Sequence, residues 1–123
     1  MTSFKPLEIT DIEVITQMMQ DFYAIDNYPM DVEVAKNLFH EFISNENLGK
    51  SWLIYSENEI VGYIILTFIF SFEYGGKIAF VDELFIKETA RGKGIGKEAI
   101  QFIQREVPKL SLKLLYLEVE PHN

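Results

Sequence analysis

The stretch from Ala79 to Glu98 (AFVDELFIKETARGKGIGKE) limits what this chain can fold into more than any other part of it. Its apolar start reads as a buried strand, its middle as a short basic turn, and its end as the opening of an amphipathic helix. Gly92, Gly94 and Gly96 remove side chains where backbone must turn or approach another group closely. A strand feeding a helix through such a turn leaves unpaired N–H groups at the helix start, where the helix dipole also attracts negative charge. Arg91, Lys93 and Lys97 surround the same point with cations. The sequence therefore points to a phosphate-bearing ligand held at this corner.

Rival owners of a glycine turn are excluded by spacing. A phosphate loop of the nucleotide triphosphatases needs Ser or Thr after its Gly-Lys pair, and here Glu98 follows Lys97. A dinucleotide fingerprint places its third glycine three residues after the second, whereas Gly92, Gly94 and Gly96 alternate. A turn with no ligand would have little use for three glycines and three cations in the seven residues from Arg91 to Lys97.

The 123 residues suffice for a single domain with one core, spanning 1–123, and 48% of them are apolar, which favours folding over disorder. Cysteine is absent, removing disulfides, thiolate metal ligands and a thiol nucleophile, and fitting a reducing compartment. With only His40 and His122 available, no metal site is indicated. The longest apolar run, Ile60 to Phe70, is about half of what a membrane span requires, and Met1 to Pro6 lacks a secretory pattern. A cytoplasmic protein that does not enter membranes is the expectation. The formal charge of −8 argues against nucleic-acid binding, yet four basic residues face one acid between Lys87 and Lys97.

Taken in order, Phe4–Ile9 reads as a short strand confined by Pro6 to an edge or a strand start. Thr10 and Glu13 have the form of a capping box opening a helix from Asp11 to about Tyr23. Asp31 caps a second helix whose stripe, Val34/Ala35, Leu38/Phe39 and Phe42/Ile43, faces inward and ends near Ser44. The period then changes to strands at Trp52–Tyr55, Ile60–Phe70 and Ile78–Ile86, with turns at Glu57–Glu59 and Tyr74–Lys77. A helix follows the glycine turn, with Pro108 at its limit, and Leu112–Val119 is a last strand. The order β-α-α-β-β-β-α-β predicts an α+β fold layered α/β/α, with a mixed, mostly antiparallel central sheet.

At this point the chain resembles a known family. Arg91-Gly-Lys-Gly94-Ile-Gly96 fits the Arg/Gln-x-x-Gly-x-Gly/Ala signature of the GNAT superfamily of N-acetyltransferases, and Val81 to Ala90 is similar to that family's fourth strand and its loop. The two N-terminal helices, the strand start Ile60-Val-Gly-Tyr-Ile64 and the terminal Leu117-Glu-Val-Glu-Pro-His-Asn123 match in order and spacing. The resemblance implies acetyl-CoA as co-substrate and an amine of a small molecule or protein as acceptor. By position, Arg91, Gly92, Lys93, Gly94, Ile95, Gly96 and Lys97 would contact the pyrophosphate. Leu84, Phe85 and Ile86 would lie along the pantetheine arm, with amides near Phe85 and Ile86 as oxyanion donors. Asn123 would lie near the cofactor, and Glu83 matches the position of a general base.

Strand alternation places Asp82 and Glu83 on opposite faces, so they are expected to do different work. Asp82 and Glu73 are candidates for holding a cationic substrate, and Tyr28 and Tyr74 for lining the acceptor cleft. The family pattern continues past Asn123 with a helix and two strands, and that helix carries the tyrosine that protonates the leaving thiolate. Tyr116 does not match it, so the acid stays unassigned. Stopping at Asn123 predicts an exposed last strand and self-association, for example as a homodimer. The alternative functions are an acyl-CoA-binding or interaction module without catalysis, left after loss of the C-terminal segment, and a nucleotide-binding fragment.

Overall fold

A computed structural model describes residues 1–117. Five strands form one sheet in the order β1-β2-β3-β4-β5: β1 (Thr2–Pro6), β2 (Gly49–Ser56), β3 (Glu59–Ser71), β4 (Gly76–Ile86) and β5 (Leu115–Tyr116). The first four pair antiparallel, and β4 pairs parallel with β5 through Ala79–Leu115 and Phe80–Tyr116. Helices α1 (Ile12–Ile25) and α2 (Val32–Ile43) precede β2, and α3 (Ile95–Lys109) crosses over from β4 to β5. This is the expected mixed, layered α+β architecture.

The long apolar run of β3 is explained by cover on both faces. Tyr63 and Ile65 point with Leu53 and Phe85 toward Ile15, Met18 and Met19 of α1. Ile64 and Leu66 point the other way, with Trp52 and Ala79, toward Ile103 of α3. Trp52 is fully buried and meets the Phe102 ring edge-on at 5.5 Å. Phe102 in turn stacks on Phe4 of β1 at 4.3 Å, so α3 reaches across to the far edge of the sheet.

Local signals explain most boundaries. Asp31 caps α2 by accepting a hydrogen bond from the Val34 amide. Glu57 and Asn58 both have positive φ, 52° and 68°, which gives the two-residue hairpin the twist that matches its strands. Pro6 closes β1 at the edge of the sheet, where a missing N–H costs least. The strand itself runs Thr2–Pro6, earlier than Phe4–Ile9, because Ile9–Asp11 form a 3₁₀ turn. The capping box uses Glu8 and Asp11 rather than Thr10 and Glu13, and Lys5 reinforces it by an ion pair to Asp11 at 2.7 Å. The predicted strand Leu112–Val119 starts later, at Leu115, because Leu112 still closes the end of α3 through its N–H to the Val107 carbonyl. Val119 lies outside the described residues.

Gly62 shows how tightly the sheet is built at its centre. A Cβ there would overlap the Phe85 carbonyl on β4. Because the neighbour is backbone held in a ladder, it cannot move aside without parting the strands. Gly62→Ala is therefore expected to cost about 1–3 kcal/mol, read as a lowered midpoint in urea or thermal unfolding.

Candidate active site

The site is built along β4. Its pairing with β3 slips by one residue: Ile65 faces Glu83 and Leu66 faces Val81, which leaves Asp82 as the extra residue of a bulge. The slip corrects the expectation that Asp82 and Glu83 face opposite sides. Both line one cavity of about 370 Å³ between α1, α2 and the sheet. Alternation holds only while pairing is regular, and the extra residue resets it.

Glu83 is half-buried and held from two elements. Its Oε2 accepts the Tyr23 hydroxyl of α1 at 2.6 Å, and its Oε1 accepts the Tyr63 hydroxyl of β3 at 2.7 Å. Burial pushes the Glu83 carboxyl above the usual carboxylate range, the Asp82 charge adds to the rise, and the two tyrosine hydrogen bonds oppose it. Burial, followed by interaction with Glu83, pushes both phenols up as well, so each hydroxyl stays a donor to the carboxylate. Neither tyrosine was singled out from the sequence. The available signal was Tyr63 itself, a hydroxyl inside an apolar strand run, which needs a partner when buried.

At the C-terminal end of β4 the chain turns through Glu88–Ala90 into the glycine segment and α3. Arg91 Nε donates to the Ile86 carbonyl at 2.9 Å, and its guanidinium lies 5.9 Å from the centre of the Phe85 ring, which ties the turn to the strand end. Gly92 and Gly94 both have φ of 78°, the left-handed region that favours glycine. Gly94 is the N-cap of α3 and no side chain caps the helix, so its first amides are open to an external acceptor. Gly96 has neither reason to be glycine: its φ is ordinary and a Cβ there would meet nothing within 4 Å. Space kept clear at a helix N-terminus, with Lys93 and Lys97 exposed beside it, fits a diphosphate.

The other expected site residues lie apart. Tyr28 is exposed and its ring does not line the Glu83 cavity, although the adjoining Pro29 and Met30 do. Glu73 and Tyr74 sit in the β3–β4 hairpin, where the Tyr74 hydroxyl lies 3.1 Å from that of Tyr116 and outside the cavity lining. Leu84, Phe85 and Ile86 form the last residues of β4, leading into the glycine turn. Asn123 lies outside the described residues.

The raised pKa carries a stability consequence with a definite sign. Native Glu83 holds its proton more tightly than the unfolded chain does. Stability therefore falls as pH rises from the ordinary carboxylate range through the native value, and the penalty is fully present above it. Glu83→Gln keeps the shape and removes the charge. Its melting temperature should exceed the parent's at pH 8, and the difference should close toward pH 4.

The profile of the Acetyltransferase (GNAT) family matches residues 13–123. A crystal structure of an integron cassette protein from the mobile metagenome of Cole Harbour Salt Marsh superposes with a TM-score of 0.89 at 35% identity, over 94% of this chain and 76% of that one. A possible acetyltransferase from Clostridium difficile 630 gives 0.86 at 18% identity, over 99% and 82%. A predicted acetyltransferase with acetyl-CoA from Clostridium acetobutylicum gives 0.78 at 16%, over 99% and 83%. Among curated proteins nothing matches. Among the described residues no helix is long and apolar enough to cross a membrane. With nearly its whole length matched by the family profile and its strand, glycine turn and helix arranged as described, the chain belongs to the GNAT family of acyltransferases, whose members draw their acyl group from acyl-CoA.

Proposed function

We propose that this protein is an N-acetyltransferase that moves the acetyl group of acetyl-CoA directly to a primary amine. The observation that carries the reading is that β4 alone bears both parts. A carboxylate of raised pKa stands at its bulge, and an uncapped, glycine-lined helix start follows its C-terminal end. The open amides of Ile95, Gly96 and Lys97 and the side chains of Arg91, Lys93 and Lys97 would hold the diphosphate. The edge Leu84–Ile86 would align the pantetheine by backbone pairing. Bound there, acetyl-CoA supplies an activated thioester carbonyl.

The chain's own chemistry lies at Glu83. An amine enters as an ammonium ion and must lose a proton before its nitrogen can attack. Glu83 would accept that proton, directly or through one water, and the free amine would then form the N–C bond. As the C–S bond breaks, nitrogen would give up its second proton and the departing thiolate would take one up from water, leaving the amide and the free thiol of CoA. A carboxylate with a raised pKa is a better proton acceptor than an ordinary one at neutral pH. Tyr23 and Tyr63 fix its two oxygens, so no reorientation is needed when it takes up the proton. Asp82, in the same cavity, favours a cationic acceptor and the protonated form of its neighbour.

Two measurements test the two halves separately. In calorimetry, acetyl-CoA should bind the parent, and Gly96→Glu should weaken binding by about tenfold or more through charge repulsion with the diphosphate. The same substitution should leave the fold intact, because an acid in the first helical turn suits the helix dipole. Steady-state thiol release should then show that Glu83→Gln lowers kcat by about 10²–10⁴-fold with acetyl-CoA affinity unchanged. Full turnover in that variant removes Glu83 as the base.

A further inference from the structure

The cavity that holds Glu83 has a second property that the proton transfer does not require. Its wall on α2 is apolar and unpartnered. Val34 and Leu38, expected to face inward as core, are 52% and 59% exposed, yet both line the cavity. The inward partners Ala35 and Phe39 pack in the core as expected, so α2 has a buried edge and, beside it, an apolar edge left open at the cavity mouth. Met30 on the preceding loop and Ile65 on the sheet extend the same wall.

Charge in the cavity has one sign. Among the described residues, the ionisable groups that line it are Asp31, Asp82, Glu83 and Tyr23, with no Lys, Arg or His. Asp31 is committed to capping α2 through the Val34 amide. Asp82, and Glu83 held by Tyr23 and Tyr63, sit together at the bulge of β4, while Val34 and Leu38 on the α2 side cannot solvate a second cation.

We propose that the acceptor is a monoamine with an apolar body, an alkyl or aralkyl primary amine. Its ammonium lies against Asp82 and Glu83, and its hydrocarbon part covers Val34, Leu38, Met30 and Ile65. This rests on the transferase reading of the same cavity and narrows it. A polyamine or an aminosugar would bring further charges or hydroxyls against the Val34–Leu38 wall, whose side chains offer them no partner. An apolar body removes that exposed wall from water instead.

Initial rates of thiol release from acetyl-CoA test this with n-hexylamine, phenethylamine, ethylamine, spermidine and a lysine-containing peptide. Both apolar amines should exceed ethylamine and spermidine in kcat/KM by about tenfold or more. Leu38→Asp, at a position already exposed to solvent, should cut the hexylamine-to-ethylamine ratio by about fivefold or more and raise the relative rate with spermidine. Preference for spermidine or the peptide, or a ratio unmoved by Leu38→Asp, overturns the inference and leaves the transferase standing. Calorimetry of hexylamine with the CoA-saturated protein separates the remaining cases. Binding without turnover of any amine keeps the apolar-amine site and rejects the transferase, and the absence of both binding and turnover rejects both.

Discussion

The one-residue slip between β3 and β4 is the constraint on which the site depends. Regular pairing would send Asp82 toward α3 if Glu83 faced α1, and the two acids would never share an environment. With Asp82 bulged, Glu83 keeps its register with Ile65, stays on the face of Tyr63, and comes within reach of Tyr23. The same slip sets Asp82 at the rim of the same cavity, where its charge raises the proton affinity of Glu83. One backbone irregularity thus positions Glu83, its two hydroxyl donors and its like-charged neighbour together.

Glycine has different causes at different points of this chain, and the differences separate fold from site. Gly49 and Gly62 are packed against backbone carbonyls of neighbouring strands, so the protein itself fills the space a side chain would need. Gly92 and Gly94 stand in open space but in left-handed backbone, so the turn requires them whether or not anything binds. Gly96 answers to neither requirement. Glycine is less favourable than alanine in a helix, by about 1 kcal/mol in its interior, and at Gly96, in the first turn of α3, nothing in the described fold calls for it. The diphosphate proposed to approach the backbone closely there would supply the missing reason.

The parts of the fold that were legible in the sequence are those set by local chemistry or by burial on both faces. The uniform apolarity of Ile60–Phe70 announced a central strand, the Asp31 cap announced α2, and the alternating glycines after Ala90 announced the turn into α3. What could not be read depends on contacts between distant segments. The bulge at Asp82 exists only in the pairing of two strands, and a sequence of regular alternation looks the same with or without it. The choice of Glu8 and Asp11 over Thr10 and Glu13 turned on Lys5, which draws Asp11 toward β1. The α2 stripe looked like a core face throughout because composition cannot tell an apolar residue that packs from one that waits at a cavity mouth. Tyr23 and Tyr63 acquire meaning only when Glu83 is placed between them.

Charge separation along β4 resolves how an acidic protein can attract a strongly anionic ligand. The chain carries −8 overall, which would repel a diphosphate if its charges were spread evenly. At physiological ionic strength, exposed charges farther apart than about 8 Å are largely screened, so a ligand at the glycine turn responds chiefly to Arg91, Lys93, Lys97 and the amides of α3. Within the cavity at Glu83, half-burial weakens that screening, and the acids there act on whatever enters. The acids near the C-terminal end of β4 and the cations just beyond that end therefore lie close together with opposite charge, and the short segment between them, Leu84–Ile86, bears no ionisable side chain that would blur the division. On the proposed reading, an anionic donor and a cationic acceptor would be held at once because each would be governed by its nearest groups, and the net charge of the molecule would decide neither.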